Sequence, residues 1–380
     1  MKILHVVNVS FVIPYFFGEQ INFFQKKGFD VYLVCSDSVD LNPLSSKYGF
    51  KYKAINIDRK FGLFSSIISF FQLYFFIRNN RFDIVVGHTP KASFLAMLAS
   101  YFNFVPRRIY LRHGILYETS SGFKRGILIF FEKFTSLLST KVLCVSQSVL
   151  NISLNDNLNS SHKTCLISKG SCNGVDSVNF FNPDLVTKET LNIYKAKHNI
   201  DDNDFVIGFV GRIVNDKGIK EILLAWDVLK SRYKNLKLIL AGPLEDRDGI
   251  HSHLISKILN DNRIVFLGQI KETNVYYKLM NLFLLPSYRE GFPTVILEAS
   301  SMGLPVVTSR KTGCIDSIIE NVTGKYCEIS PNSIVQVLEE YIQNSDLCIQ
   351  HGLNGRKFVR ENFEQEVIWN SLLKLYSGEN

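Results

Sequence analysis

Two carboxylates in the second half of the chain have a spacing that suits the binding of a sugar derivative. Glu290 and Glu298 stand eight positions apart within residues 286–309, and three residues that include a glycine and a proline follow the first of them: Gly291, Phe292 and Pro293. Proline is favoured at the first helical position, because the N–H that it lacks would be unpaired there. We therefore expect a helix that starts at Pro293, with Glu290 just before it and Glu298 in its second turn.

Two sources of positive charge accompany these carboxylates. The first N–H groups of the expected helix, from Thr294 and Val295 onward, form an anion site. Arg212 and Lys217 follow Gly211 after a predicted strand, and a guanidinium fork and an ammonium at this spacing can straddle a diphosphate. Neither a Walker P-loop nor a GxGxxG fingerprint is present. The pattern predicts a sugar-nucleotide site, with the carboxylates at the neutral parts of the ligand.

The same residues resemble the signature of family 4 glycosyltransferases, which are retaining enzymes of GT-B fold. The resemblance rests on Glu-Gly-Phe-Pro, Glu-Ala and Gly-Leu-Pro-Val-Val, with Gly-Arg and Lys-Gly upstream, and it extends over nearly the whole chain. It implies that Arg212 and Lys217 bind the donor diphosphate, that Glu290 binds sugar hydroxyls and Glu298 the ribose, and that the main chain of Ile270 contacts the base. It also implies retention of anomeric configuration. We expect no metal ion or other cofactor, because the cations and the helix start can stabilise the leaving group.

Histidines follow two predicted strands of the first half. His113-Gly114 matches the His-Gly of the family at this strand end, which implies that His113 borders the donor sugar. His88 and Lys91 look like the His-x-Pro-Lys segment of a bacterial surface-polysaccharide subgroup. Three residues are assigned to acceptor binding on this basis: His88, Lys91 and Arg112. Their expected role is contact with the acceptor or with a phosphate.

Strands and helices alternate along the chain. Strands at residues 2–7 and 30–35 flank a helix at 18–27, which is a βαβ unit and implies a parallel sheet. Gly18 is placed at the first strand-to-helix turn, either near donor phosphates or as a plain turn glycine. The fold class is α/β of GT-B type, with two Rossmann-like domains whose parallel sheets face a central cleft. The predicted domains are residues 1–183 plus a last helix at about 362–380, and residues 184–361.

Charge is unevenly distributed along the chain. The net charge is +8, and residues 1–183 hold 20 Lys+Arg against 10 Asp+Glu, whereas the remainder is near neutral. A basic first half indicates an anionic partner: a membrane surface, a lipid diphosphate or, least favoured for lack of a recognisable module, nucleic acid. Seven scattered cysteines without a CxxC pair fit buried thiols in a reducing compartment. With no secretory signal recognised, we expect a cytoplasmic protein at the inner face of the membrane.

Three further segments allow more than one interpretation. Residues 61–77 carry no charge and favour a largely buried helix, a helix with one aromatic face in the membrane interface or, least, a transmembrane span. Residues 123–138 show an amphipathic basic helix pattern, a second candidate membrane-facing surface. Asp246-Arg247-Asp248 is expected in a loop rather than at a metal site.

The sequence thus predicts a transferase of a hexose or N-acetylhexosamine from a nucleotide sugar, with UDP favoured, to a polyprenyl-diphosphate-linked glycan of capsule or O-antigen synthesis. Two alternatives remain open at this stage. One is a GT-B enzyme that uses a soluble acceptor or epimerises a sugar nucleotide. The other is a sugar-nucleotide-binding protein without catalytic activity.

Overall fold

The protein divides into two compact units. The structure, a computed structural model, describes residues 1–58, 62–245 and 249–379. Unit 1 consists of Met1–Gly174 and Gln365–Asn380, and unit 2 of Val175–Glu364. The sequence analysis placed these boundaries after residue 183 and at about residue 362. Pro183, which ends the first predicted domain, therefore lies inside unit 2.

Unit 1 is built on a parallel sheet in the order β3-β2-β1-β4-β5-β6-β7. Short runs rich in β-branched and aliphatic residues form the central strands, which are buried on both faces, as parallel strands are when helices cover them. The strands are β1 Lys2–Val6, β2 Asp30–Cys35, β3 Lys51–Ala54, β4 Ile84–Gly87, β5 Arg107–Arg112, β6 Lys141–Cys144 and β7 Thr164–Leu166. The helices are α1 Ile13–Phe16, α2 Gln20–Lys26, α3 Leu41–Tyr48, α4 Leu63–Asn80, α5 Pro90–Phe102, α6 Gly122–Leu138 and α7 Gln147–Asn155, with α15 Gln365–Ser377 from the chain end.

Unit 2 repeats this arrangement with the sheet order β10-β9-β8-β11-β12-β13. Its strands are β8 Phe205–Val210, β9 Leu236–Ala241, β10 Ile264–Gly268, β11 Leu282–Leu285, β12 Val306–Ser309 and β13 Gly324–Cys327. Its helices are α8 Lys188–Lys197, α9 Ile219–Arg232, α10 Ser252–Asn260, α11 Thr273–Leu279, α12 Thr294–Ser301, α13 Pro331–Ile342 and α14 Ser345–Asn362. In each sheet the first strand lies between the second and fourth strands, and this reversal of strand order is where α/β folds bind ligands.

The structure corrects three local expectations. Gly18 does not lie at the first strand-to-helix turn, because two short helical segments separate it from β1. Gly18 has a φ of +46°, and a Cβ built on it would lie 2.8 Å from the Pro14 carbonyl oxygen, so glycine is required there as a turn residue. Pro293 is the residue before α12 rather than its first residue, with an extended ψ of 92°. The sequence predicts only helices between Cys314 and Tyr376, but residues 324–327 form β13.

Helices α4 and α6 each bury one side and expose large apolar residues on the other. In α4, Leu73 and Ile77 are buried, whereas Phe64 is 81% exposed and Phe71 52% exposed. In α6, Phe123 is 86% exposed. Among the described residues, no helix has the length and apolar character that crossing a membrane requires. Residues 59–61 and 246–248, which include the Asp-Arg-Asp segment, lie outside the described residues.

Arg112, expected to contact an acceptor, is instead a structural residue of unit 1. Its side chain is fully buried, and its Nε donates to Glu132 at 2.9 Å. Its Nη1 and Nη2 also donate inside unit 1, to Ser153, Asn159 and Ser136 at 2.6 to 2.8 Å. A guanidinium that is desolvated and occupied in this way is not available to a ligand, so the acceptor assignment of Arg112 is wrong.

This network predicts a large loss of stability when one charge is removed. Glu132→Gln leaves the buried guanidinium without its counter-charge, which should cost about 3–5 kcal/mol of unfolding free energy. The measurement is urea unfolding followed by a probe in unit 1. The double variant Arg112→Met with Glu132→Leu removes both charges and should recover most of that loss. A cost below about 1 kcal/mol for Glu132→Gln would contradict a desolvated ion pair.

Candidate functional site

The loops after β8 and β11 meet at the reversal of strand order in unit 2. Tyr288 donates its backbone N–H to the carbonyl of Asp216 at 2.9 Å, and the Ser287 hydroxyl donates to the same oxygen at 3.0 Å. A Cβ built on Gly218 would lie 2.3 Å from the Pro286 carbonyl oxygen, and the φ of Gly218 is +74°. Only glycine allows this approach without displacing the backbone. The contact fixes the loop that carries the predicted cations against the loop that carries Glu290.

Each of the two predicted phosphate-binding cations is paired with a carboxylate. Lys217 Nζ lies 2.5 Å from Glu290 Oε1, and both side chains are mostly buried. Arg212 Nη1 lies 2.9 Å from Glu245 Oε2, in a more exposed pair. An incoming anion therefore meets cations that already hold a counter-charge. Binding requires these pairs to be shared or exchanged.

Helix α12 starts four residues after Glu290 and carries Glu298. The geometry of a helix start leaves the N–H groups of Thr294 and Val295 without acceptors inside the helix. Glu298, in the second turn, accepts a hydrogen bond from the hydroxyl of buried Tyr277 at 2.9 Å. Burial raises the pKa of Glu298 to about 7, and the bond from Tyr277 opposes this shift only partly. Glu298 therefore changes charge near neutral pH.

The remaining predicted donor residues lie in the same loops or next to them. Gly291 and Phe292 connect Glu290 to α12, and a Cβ on Gly313 would lie 2.6 Å from the Gly291 carbonyl oxygen, so the loop after β12 also presses on this segment. Gly211 directly follows β8, and Ile270 follows β10 with its side chain against the core of unit 2. Among the described residues, no cluster of three or more His, Cys, Asp or Glu could hold a metal ion.

In unit 1 the predicted histidines are joined by one that the sequence analysis did not identify. His5 Nδ1 lies 2.9 Å from His88 Nε2, and His88 Nδ1 lies 3.2 Å from His113 Nε2. The ring of Phe16 stacks on His113 at 3.9 Å between centroids, with 12° between the planes. Lys91 is buried in the first turn of α5, and desolvation lowers its pKa.

Three site residues were missed because their partners are distant in sequence. Glu245 lies 33 residues from Arg212, Tyr277 lies 21 residues before Glu298, and His5 lies 83 residues before His88. None stands in a recognisable motif. His5 alone carried a signal, since a histidine inside an otherwise aliphatic buried strand needs a polar partner.

Two Rossmann-like units, with cations, a helix start and carboxylates at a strand-order reversal, define the class of GT-B glycosyltransferases. Comparison with known proteins agrees. Residues 2–146 match the family described as glycosyl transferase 4-like, and residues 192–358 match glycosyl transferases group 1. The chain belongs to family 4 of the glycosyltransferases, in the capsule and O-antigen subgroup.

Individual relatives support this placement. The chain is 31% identical to the capsular polysaccharide biosynthesis glycosyltransferase CapM of Staphylococcus aureus, over 99% of this chain and 97% of that protein. It is 23% identical to an Escherichia coli UDP-Gal:alpha-D-GlcNAc-diphosphoundecaprenol alpha-1,3-galactosyltransferase, over 87% of this chain and 86% of the relative. The Anabaena protein HepE, solved with UDP and glucose, shares the fold at a TM-score of 0.78 and 17% identity, with 99% of each chain covered.

The pKa of Glu298 predicts a specific pH dependence of stability. Between about pH 4.5 and 7 the unfolded chain loses this proton whereas the folded chain keeps it, so the contribution of Glu298 to stability falls as pH rises and is constant above about 7. Glu298→Gln should remove this slope. The difference between wild type and variant should change by about 1–3 kcal/mol between pH 4.5 and 8.

The measurement is denaturant unfolding at several pH values with a probe in unit 2. Glu361→Gln, at a solvent-exposed position of the same unit, serves as the matched control and should leave the pH dependence unchanged. If the unfolding free energy of the wild type changed with pH with the same slope as that of Glu298→Gln, the raised pKa would be contradicted.

Proposed function

We propose that the protein transfers a hexose or N-acetylhexosamine, with retention of configuration, from a nucleotide diphosphate sugar to a lipid-diphosphate-linked glycan. UDP is the favoured nucleotide, because the E. coli relative is named for a UDP-Gal donor and a diphosphoundecaprenol acceptor. The observation that supports the proposal is the contact, at the strand-order reversal of unit 2, between the loop that holds Arg212 and Lys217 and the loop that leads to α12. Glu290 in the second loop pairs with Lys217, and Glu298 lies in the second turn of α12.

The chemistry that this cluster supplies is stabilisation of the leaving group. As the bond from the anomeric carbon to the diphosphate breaks, negative charge grows on the phosphate oxygens. Fixed cations and helix N–H groups that are already in place stabilise that charge without reorganisation. Lys217 then exchanges part of its contact with Glu290 for the phosphate, which leaves Glu290 free to accept hydrogen bonds from sugar hydroxyls. Since protein groups carry the charge, turnover should persist in excess EDTA.

The proposal also includes a stereochemical outcome and a proton balance. Retention rests on family membership, and the anomer of the product, read by NMR, tests it. The proton of the attacking hydroxyl passes to an oxygen of the departing diphosphate, whose basicity rises as its bond to carbon breaks. Glu298 contacts the ribose hydroxyls as the carboxylate, so binding of a sugar nucleotide should release protons near pH 7.

Removal of the guanidinium tests the phosphate assignment. Arg212→Ala should lose charge-assisted hydrogen bonds of roughly 1.5–3 kcal/mol each, which corresponds to a fall in kcat/KM of about 10- to 100-fold. The measurement is steady-state transfer with a panel of nucleotide sugars on a diphospholipid acceptor. Lys220→Ala, a nearby exposed lysine on α9, is the control and should retain full activity. An unchanged kcat/KM for Arg212→Ala would refute the assignment.

A lipid-linked acceptor requires access to a membrane surface, and unit 1 carries a suitable face. Helix α4 packs on α5 and α5 on α6, and their exposed apolar residues form what we name the outer aromatic face: Phe64, Phe71, Phe75, Phe102, Phe123 and Phe130. Exposed basic residues lie along the same helices: Arg78, Lys124, Arg125 and Lys133. Aromatic side chains at the headgroup level and cations on lipid phosphates are the usual means of interfacial binding. The proposed partner is therefore an anionic membrane surface.

Liposome flotation tests this surface. Replacing Phe64, Phe71 and Phe75 with serine should abolish most co-flotation with vesicles that contain anionic lipid, because the apolar contribution of α4 is lost. The matched control replaces three exposed aliphatic residues of unit 2 with serine: Ile193, Ile349 and Leu353. The control should float as wild type does. Equal flotation of both triple variants would contradict the outer aromatic face as the membrane contact.

A further inference from the structure

Three histidines of unit 1 form a continuous row. His5 is in β1, His88 directly follows β4 and His113 directly follows β5, and these strands are neighbours in the order β1-β4-β5. The inner nitrogens are 2.9 Å apart between His5 and His88 and 3.2 Å apart between His88 and His113. His5 and His88 are buried, whereas His113 is partly exposed. The row therefore runs from the core of the sheet to its surface.

The surroundings of the row keep its rings neutral. Phe17 lies edge-on to His88 at 4.7 Å between centroids and contacts the ring of His5 at 4.8 Å. Phe16 stacks on His113. Desolvation lowers the pKa of His5 and of His113 to about 3, and burial together with the two neighbouring rings lowers the pKa of His88 well below its usual value. Each ring therefore carries one N–H and one lone pair at neutral pH.

Neutral rings in such a row cannot choose their tautomers independently. Each contact between two nitrogens needs one proton, and His88 takes part in both contacts with its two different nitrogens. If His88 accepts from His5, it must donate to His113; if it donates to His5, it must accept from His113. In the first arrangement His113 has its proton on Nδ1, and in the second on Nε2. The state of His5 is thereby transmitted to a ring that it does not touch.

We propose that His5 and His88 are positioning residues that couple the tautomer of His113 to that of His5, and that the unequal ends of the row, buried at His5 and partly exposed at His113, favour one of the two arrangements and so hold His113 in a single neutral tautomer. His113 thus presents one fixed hydrogen-bonding group, a donor or an acceptor, at its free nitrogen. This inference rests on the proposed function in one respect, that His113 meets a bound substrate. The tautomeric coupling itself requires only the ligand-free protein.

The test is ¹H–¹⁵N correlation spectroscopy of the histidine side chains in the full chain. In the wild type, His113 should show one tautomer and remain neutral from pH 5.5 to 8. In His5→Phe, the ring is replaced by one of similar size and His88 becomes free to adopt either tautomer, so His113 should become a mixture. His351→Phe removes another buried histidine, which bonds to Tyr341 in unit 2, and should leave His113 unchanged.

The outcomes separate this inference from the proposed function. A mixture of His113 tautomers in the wild type would overturn the inference, even if His5→Phe does not fold. A single, unchanged His113 tautomer in His5→Phe would also overturn it. In transfer assays, His5→Phe should lower kcat by roughly 2- to 10-fold, and should have no added effect in a protein that already carries His113→Asn. If His5→Phe gives a mixture of tautomers at His113 but does not change kcat, the inference about tautomeric coupling stands. His113 is then not one of the proposed substrate contacts.

Discussion

The candidate site of unit 2 depends on one close backbone approach. The loop after β8 and the loop after β11 come within a distance that leaves no space for a side chain at Gly218, and Asp216 accepts two hydrogen bonds from the second loop. Because both loops start from neighbouring parallel strands, the sheet fixes their origins and this contact fixes their tips. Lys217 and Glu290, 73 residues apart in sequence, become an ion pair as a consequence.

That ion pair sets a condition on ligand binding. A mostly buried ammonium without a counter-charge is costly, so Lys217 needs Glu290 while no phosphate is bound. The phosphate can replace the carboxylate as counter-charge, and the carboxylate can then accept hydroxyl donors of the sugar. Arg212 and Glu245 form a second pair of the same kind at a more exposed position. The two pairs therefore balance the charge of the site in the ligand-free protein, and in the proposed function a diphosphate substitutes one set of charge contacts for another.

Sequence reasoning succeeded where local signals define an element and failed where partners are distant. A strand before Gly211 and a helix that starts at Pro293 were predicted, and β8 and α12 lie there, with α12 starting one residue later. Apolar runs bounded by glycine and proline carry strong local signals. Strand β13, with the sequence GKYC, lacks such a signal and forms a strand through its pairing with β12. The predicted helix start at Pro293 was one residue too early, because the extended ψ of 92° at Pro293 belongs to the loop and not to the helix.

Arg112 and the histidine row show why a polar residue at a strand end is ambiguous. Arg112 and His113 are adjacent, and both follow the rule that ligands gather at the carboxyl ends of parallel strands. Alternation along the strand sends Arg112 into the core, where Glu132 of α6 and three other acceptors satisfy it. His113 is the first residue beyond the strand and remains partly exposed, while its inner nitrogen is held by His88. The distinction between a structural and a ligand-facing residue therefore lies in which hydrogen-bonding atoms remain available after folding, and that is decided by contacts 20 to 83 residues away.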